Sequence, residues 1–204
     1  MAEAGAKVSM AARRTNKLQE VQTAIANSGG VPISVKTDVT NREMYVKELV
    51  RHTEATLGPV DILVNNAGTM YYTMMKNIHE DEWDTQIDVN IKGLTNCIVA
   101  VLGGMVQRQK GHIINMSSDA GRRGFPGLAV YSGTKFYVEG LSQALRHEMS
   151  GSGVRVTCIQ PGDVKTELFQ HSTDTEAQDQ FDGSKKCKIL EPEDIARAVV
   201  YAAS

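Results

Sequence analysis

The 204-residue chain lacks the charge excess and the cysteine spacing that mark several common classes of protein. Its 22 Lys and Arg side chains are balanced by 24 Asp and Glu, so the formal net charge is −2 and no basic run favours nucleic acid. The three cysteines, Cys97, Cys158 and Cys187, stand too far apart for metal-ligand spacing, and the five histidines show none either. A scattered, odd set of cysteines is typical of free thiols in a reducing compartment, so we expect a cytoplasmic protein without a metal site.

Long hydrophobic runs are also lacking. The longest, residues 97–105, includes two glycines and is far shorter than the roughly 20 residues that cross a bilayer. The opening MAEAGAKV does not have the charged and then apolar pattern of a secretory signal. We therefore expect neither nucleic acid nor a membrane as a partner.

Short apolar runs alternate with helical patterns along the chain, which predicts an α/β fold. Several runs are apolar at successive positions, as in parallel strands that are covered on both faces. The predicted strands are residues 7–12, 31–36, 60–65, 112–117 and 154–160, and the predicted helices are residues 15–27, 42–56, 83–109 and 130–149. This alternation predicts right-handed crossovers and a doubly wound parallel sheet of Rossmann type, in a single domain over residues 1–204.

The glycine-rich phosphate turn that opens dinucleotide-binding folds is missing. The SGG at residues 28–30 lacks its spacing and precedes a predicted strand. The opening reads as the last turn of a helix that stops at Gly5, and residues 191–204 read as a capped helix with no strand after it. We therefore expect an incomplete fold that lacks its first strand, most of its first helix and its last strand. The first strand would lie between the strands at residues 7–12 and 60–65.

The stretch AVYSGTKFYVEGLSQALRHEM, residues 129–149, places Tyr131 and Lys135 four apart on a predicted helix, so both face the same side. Alone, such a pair is more often an exposed surface pair. Four further motifs follow one another in order: NNAG at residues 65–68, VN at 89–90, SS at 117–118 and PGDVKT at 161–166.

This ordered set, with Ser118 thirteen residues before Tyr131, resembles the classical short-chain dehydrogenase/reductase family over nearly the whole chain. The resemblance implies a nicotinamide cofactor and a catalytic group of Asn90, Ser118, Tyr131 and Lys135. Tyr131 would be the acid–base catalyst, because the ammonium of Lys135 and the positive nicotinamide favour the phenolate over a phenol of pKa about 10. Ser118 would hydrogen-bond the substrate oxygen. Asn90 would support a water that leads protons to Lys135, or it would only cap a helix kink.

The resemblance also implies which residues bind the cofactor. Ala12 stands where an acidic residue would select NAD, and the arginines after it favour the 2′-phosphate of NADP, unless they are only solvated at a helix start. The Asp-Val pair of TDVT would contact the adenine or cap a loop. The predicted cofactor-binding set is Arg13, Arg14, Asp38, Val39, Asn65, Ala67, Gly68, Tyr131, Lys135, Pro161, Val164 and Thr166.

Two functions remain open. The first is an NADP(H)-dependent oxidoreductase that interconverts a small secondary alcohol and a carbonyl. The LRHEM at residues 145–149 and the tail at 190–204 resemble a branch that contains 3-hydroxy acid dehydrogenases. The second is a catalytically silent, truncated member that acts only as a binding or interaction module. In either case we expect a homodimer or homotetramer that pairs through the two long helices.

Loop segments on the substrate side are less informative. The methionine-rich residues 69–75 are predicted as loop packing that also lines the substrate side, because ligands bind beyond the carboxyl ends of parallel strands. Asp119, Gly162 and Asp163 are candidates for substrate contact by position only. The polar residues 170–188 are predicted as a mobile flap.

Overall fold

The structure, a computed structural model, describes residues 1–181 and 189–204. The strands of that part are β1 (Val8–Ala12), β2 (Pro32–Lys36), β3 (Ile62–Asn65), β4 (Gly111–Met116) and β5 (Val154–Ile159). The helices are α1 (Thr15–Asn27), α2 (Lys47–Leu57), α3 (Glu80–Ile87), α4 (Leu94–Gln107), α5 (Ala129–Glu148), α6 (Thr175–Phe181) and α7 (Pro192–Ala203). π-helical stretches at Arg42–Val46 and Asp88–Gly93 precede α2 and α4, respectively. The predicted strands and helices are therefore confirmed to within a few residues at their ends.

All strand pairs are parallel, and they form two sheets. β1 pairs with β2, from Val8 opposite Pro32 to Ala12 opposite Lys36. The second sheet has the order β3-β4-β5. Within the described residues no pairing joins β1 to β3. The predicted Rossmann-type arrangement of parallel strands flanked by helices is confirmed, with a break at the place where the sequence predicts a missing strand.

The apolar core lies between the three-stranded sheet and the helices α4 and α5. Its buried members are Leu94, Ile98, Val101, Met105, Ile113, Val138, Leu145, Val154 and Val156. The middle strand β4 is buried through most of its length, whereas Ile62, Leu63 and Val64 of β3 keep intermediate exposure. A strand inside a covered parallel sheet is buried on both faces. β3 therefore has the environment of an edge strand.

Helix α2 connects the two sheets on one face. Thr53 of α2 and Ser9 of β1 share a hydrogen bond of 2.7 Å between their hydroxyls, while Val50 packs against the core of the other sheet. Just before α2, Arg42 donates from Nε to Asn96 Oδ1 of α4 at 2.9 Å. These contacts, rather than strand pairing, hold β1 and β2 against the rest of the protein.

The long helix predicted over residues 83–109 is interrupted by the π-helical stretch Asp88–Gly93. Gly93 is required there, because a Cβ at this position would lie 2.5 Å from Cγ2 of Val39. The whole helical run Glu80–Gln107, 28 residues, is long and apolar enough to cross a membrane by length and composition alone. Nearly half of its most apolar window is buried inside the protein, as in the core helix of a globular domain.

The described part of the predicted flap is docked on the loop after β3. A 3-10 turn covers Glu167–His171 and α6 follows. The carboxylate of Asp174 is buried and accepts hydrogen bonds from the Met74 amide at 2.9 Å and from Asn77 Nδ2 at 3.0 Å. The Tyr72 amide donates to Ser172 Oγ at 2.7 Å. The remainder of the flap, residues 182–188 with Cys187, lies outside the described residues.

Candidate active site

Helix α5 brings Tyr131 and Lys135 into the interior, one helical turn apart. Each residue is only 7% exposed. The Lys135 ammonium donates to the Met116 carbonyl, at the end of β4, at 2.9 Å and lies 5.5 Å from the centroid of the Tyr131 ring. Since the pair is buried, the alternative of an exposed surface pair does not hold.

Ser118 follows β4 and reaches the same place. Its Oγ accepts a hydrogen bond from the Ala120 amide at 3.1 Å and donates to Asp119 Oδ1 at 3.0 Å. The Ser118 hydroxyl also acts on the Tyr131 phenol and lowers its pKa. The carboxyl end of β4 and the first turns of α5 therefore place a serine hydroxyl, a phenol and an ammonium around one buried volume.

Burial favours the neutral forms of both titrating groups of this site, the Tyr131 phenol and the Lys135 amine. It raises the pKa of Tyr131 to about 12; the Ser118 hydroxyl lowers this pKa, and Asp119 and Tyr72 raise it further. Burial lowers the pKa of Lys135 to about 8. The direction for Tyr131 is opposite to the expected stabilisation of its phenolate. The expected stabilisation of the phenolate depended on a positive nicotinamide as well as on Lys135. In the structure the Lys135 ammonium donates to the Met116 carbonyl.

Asn90 lies in the π-helical stretch and is buried. Its Oδ1 accepts from the Thr69 amide at 2.9 Å, and its Nδ2 donates to the Thr69 carbonyl at 2.8 Å and to Thr134 Oγ1 at 3.1 Å. Asn90 therefore fixes the loop after β3 against α5. A Cβ at Gly68 would lie 3.4 Å from Asn90 Oδ1 and 3.9 Å from Lys135 Nζ. These are ordinary van der Waals distances, so the backbone of Gly68 passes close to Asn90 and Lys135.

An apolar wall borders Tyr131. Met70 and Leu128 are buried against its ring, and Tyr72, Phe125 and Leu168 pack on them with partial exposure. Met70 and Tyr72 belong to the methionine-rich loop, which therefore lines the site as the sequence predicts.

The predicted contacts for the adenosine end lie at the carboxyl ends of β1 and β2. Arg13 and Arg14 are exposed, and Arg14 Nη1 donates to Glu167 Oε2 at 2.7 Å. Asp38 Oδ1 accepts from the Thr40 amide and hydroxyl at 3.0 and 2.7 Å. Asp38 thus caps its own loop, which was the alternative reading of that residue.

The remaining predicted contacts lie at the carboxyl ends of β3 and β5. Asn65 is buried and donates from Nδ2 to Asn115 Oδ1 at 2.9 Å, so it joins β3 to β4, whereas Ala67 and Gly68 are exposed backbone. Val39, which follows β2, has a structural role because its side chain packs on Gly93. The predicted contacts after β5 also have structural roles. The carbonyl of Pro161 accepts from the Asp119 amide, Val164 bridges to Leu190, and Thr166 caps the following turn.

The sequence reasoning missed polar residues that brace this site. Gln86 is fully buried one turn before Asn90 and accepts from the Tyr71 amide at 3.3 Å. Asn115, also fully buried, links Asn65 to Ser142 across β4 and α5. The spacing of Gln86 and Asn90, four apart in a helical pattern, was the available signal. Among the described residues no group of three or more His, Cys, Asp or Glu side chains could hold a metal ion.

Comparison with protein families matches residues 1–177 to a model described as short chain dehydrogenase. A glycine betaine reductase of Emericella nidulans is 47% identical over 202 residues, which are 99% of this chain but 16% of that protein. The chain thus spans about a sixth of the length of this relative. An uncharacterized oxidoreductase of Staphylococcus saprophyticus is 40% identical over 205 residues, 99% of this chain and 81% of that protein.

Two solved structures resemble the fold. The closed form of a serine dehydrogenase complexed with NADP+ has a TM-score of 0.87 and 35% identity, and covers 99% of this chain and 81% of its own. A gluconate 5-dehydrogenase from Burkholderia cenocepacia, in complex with NADP and tartrate, has a TM-score of 0.76 and 30% identity. The match covers 82% of this chain and 65% of the gluconate 5-dehydrogenase chain.

Proposed function

Since the chain belongs to the short-chain dehydrogenase family, we propose that it is an NADP(H)-dependent oxidoreductase that interconverts a small secondary alcohol and the corresponding carbonyl compound. The observation that carries this proposal is the buried convergence of Ser118, Tyr131 and Lys135 at the carboxyl end of β4. Ligands of parallel α/β sheets bind at that end of the strands.

The side chains divide the chemistry of carbonyl reduction. The Ser118 hydroxyl gives up its bond to Asp119 and donates to the carbonyl oxygen, where negative charge develops. Tyr131 is fully protonated at neutral pH because burial raises its pKa to about 12, so it can donate its proton to the same oxygen. The cofactor, when bound, supplies the hydride. Lys135 holds a positive charge beside the phenol as the proton leaves.

The residues around Lys135 fit the nicotinamide end of such a cofactor. The exposed backbone of Ala67 and Gly68 would admit the nicotinamide ribose to Lys135. Thr166 and Val164 would contact the carboxamide. Arg14 would hold the 2′-phosphate, which requires that it release Glu167. The NADP complexes of the two solved relatives support this choice of cofactor.

A small polar substrate is supported by the names of two relatives, since glycine betaine and serine are both small zwitterions. The finer prediction of a 3-hydroxy acid rests on the resemblance of the chain's last helices alone. An interaction module without catalysis is the second candidate. It is favoured for the 204-residue chain by the break between β1 and β3, which separates Arg14 from the residues around Tyr131.

The substitution Tyr131→Phe tests the proposed chemistry in a chain restored with the N-terminal strand and helix that the sequence predicts to be missing, called the full-length protein below. It should abolish NADPH-dependent ketone reduction and leave NADPH binding, measured by fluorescence, nearly unchanged, because the phenol transfers a proton and does not hold the cofactor. Tyr137→Phe is the matched control, since Tyr137 on the same helix bonds Thr95 Oγ1 at 3.1 Å on the outer face. Retained turnover in Tyr131→Phe would overturn the assignment of the acid.

The proposal for partners is a homodimer or homotetramer in the cytoplasm, with a small alcohol or carbonyl as the substrate and no nucleic acid or membrane. Val99 on α4 and Phe136 on α5 are 54% and 47% exposed. Apolar side chains at these positions support pairing of the two helices with a second copy.

A further inference from the structure

A carboxylate stands directly beside the proposed proton donor. Asp119 Oδ1 accepts a hydrogen bond from Ser118 Oγ at 3.0 Å, and Ser118 converges with Tyr131 at the carboxyl end of β4, where it lowers the pKa of the phenol. Asp119 is exposed, so a ligand that enters the site can reach it. Its negative charge also acts on the phenol, since it raises the pKa of Tyr131.

Within the described residues, no lysine, arginine or histidine forms an ion pair with Asp119. The ammonium of Lys135 is held by the Met116 carbonyl. The guanidinium of Arg123 lies over the Phe125 ring, 4.6 Å from its centroid. As far as residues 1–181 and 189–204 show, the site therefore presents a negative charge without a cationic partner next to the position of the reacting oxygen.

The rest of the wall suits a cation as well. Met70 is buried next to Tyr131, and Tyr72 packs beside it with partial exposure, whereas the Phe125 ring already carries the Arg123 guanidinium. Aromatic faces attract cations, and quaternary ammonium groups in particular bind where aromatic rings surround them. An ammonium group that lay against Asp119 would thus meet both charge and aromatic surface.

From this arrangement we propose that Asp119 is a specificity-determining residue, and that it selects carbonyl substrates with an ammonium group close to the reacting carbon. The inference rests on the proposed function and names the substrate class of the same site. It disfavours a 3-oxo or 3-hydroxy acid, because a substrate carboxylate would lie beside the Asp119 carboxylate.

A cation at Asp119 also helps the chemistry. Neutralising this carboxylate removes one of the interactions that hold the proton on Tyr131. Because Asp119 is exposed, solvent screens its pairing with a cation, and the preference should be about fivefold. A substrate anion has the reverse effect on both binding and proton transfer.

The test uses three methyl ketones of similar size: trimethylammonio-acetone, its uncharged isostere neopentyl methyl ketone, and acetoacetate. Reduction by NADPH is followed in the full-length protein, and binding of each ketone is measured by saturation-transfer NMR, which needs no turnover. The variants are Asp119→Asn, which removes the charge, and Asp119→Glu, which keeps it. Asp61→Asn is the control, because Asp61 is a surface carboxylate that pairs with Lys110 at 3.4 Å.

Wild type should prefer the cationic ketone over its isostere by about fivefold in kcat/KM and in affinity. Asp119→Asn should bring the two to near parity, Asp119→Glu should keep part of the preference, and Asp61→Asn should keep all of it. Equal use of both ketones by wild type, or a preference that survives in Asp119→Asn, would overturn the inference while ketone reduction still supported the proposed function. Preferred, Asp119-dependent binding of the cation without any reduction would uphold the inference and overturn the proposed function. If wild type binds the cationic ketone no better than its isostere, the inference is overturned whether or not the ketones are reduced.

Discussion

Lys135 should destabilise the folded protein at neutral pH, and its replacement by methionine should show this directly. The ammonium is 7% exposed and has one hydrogen-bond acceptor, the Met116 carbonyl. Burial lowers its pKa from 10.5 to about 8. At one pKa unit per about 1.4 kcal/mol, holding this proton in the folded state costs about 3 kcal/mol.

The cost depends on pH in a defined direction. Between a pH of about 8 and one of about 10.5 the unfolded chain binds more protons at this lysine than the folded protein does. The free energy of unfolding therefore rises with pH across this window, and the penalty is fully present below it. Between about pH 7 and about pH 9.5, we expect the contribution of Lys135 to stability to improve by about 2 kcal/mol.

The assay is urea unfolding of wild type and Lys135→Met at both pH values. Methionine matches the length of the stem without the charge, but it leaves the Met116 carbonyl unpaired, at a cost of about 1–3 kcal/mol that does not vary with pH. The informative quantity is thus the change with pH of the difference between the two proteins. Cysteines and tyrosines that titrate in the same range are common to both and largely cancel.

Lys135→Met should be relatively more stable at the lower pH, and this advantage should shrink by about 2 kcal/mol at the higher one. Lys17→Met, at an exposed position on α1, should differ from wild type by the same amount at both pH values. A difference between wild type and Lys135→Met that stays constant with pH would refute the burial of a charged lysine beside Tyr131.

Three further outcomes are expected. Replacing Arg13 and Arg14 by alanine in the full-length protein should weaken NADPH binding by about 1.5–3 kcal/mol for each lost contact and NADH binding little, by fluorescence titration; equal losses would mean that both are only solvated. Phe136→Asp, at a position that is 47% exposed, should turn an oligomer into a monomer in sedimentation, and a wild-type monomer at micromolar concentration would contradict the dimer. The 204-residue chain by itself should bind NADPH more weakly than low micromolar, because no pairing joins β1 to β3 among the residues that the structure describes; low-micromolar binding with a cooperative melt would contradict this.

The element order, and the convergence of the residues proposed as the catalytic group, could be predicted from the sequence because both depend on local patterns. Tyr131 and Lys135 face one side of α5 because they are four residues apart. Ser118 comes just after the apolar strand β4, which pairs with β5. An interruption of the long helix entered only as the alternative of a kink at Asn90, and the close approach of Val39 to Gly93, from a distant part of the chain, could not be predicted.

The ionic interactions of the site could be predicted least, because they also depend on residues from distant parts of the chain. The pKa of Tyr131 depends on burial and on Asp119 and Tyr72, which come from three different segments. Asp119 is a candidate by position alone, and nothing in its neighbouring residues indicates that it forms no ion pair with a cation in the part of the chain that the structure describes. Only the packed arrangement shows which ionic groups meet and which remain unpaired.

The two halves of the proposed cofactor site are held together by very different interactions. The residues around Tyr131 are fixed by the β3-β4-β5 sheet and by the buried bonds of Asn90 and Asn115. Arg14 belongs to the other sheet and reaches across through a single ion pair to Glu167, in which both side chains are more than half exposed. Exposed pairs of this kind contribute at most about 1 kcal/mol. The nicotinamide end is therefore rigid in this chain, whereas the spacing between Arg14 and Tyr131, on which NADP binding depends, rests on packing through α2.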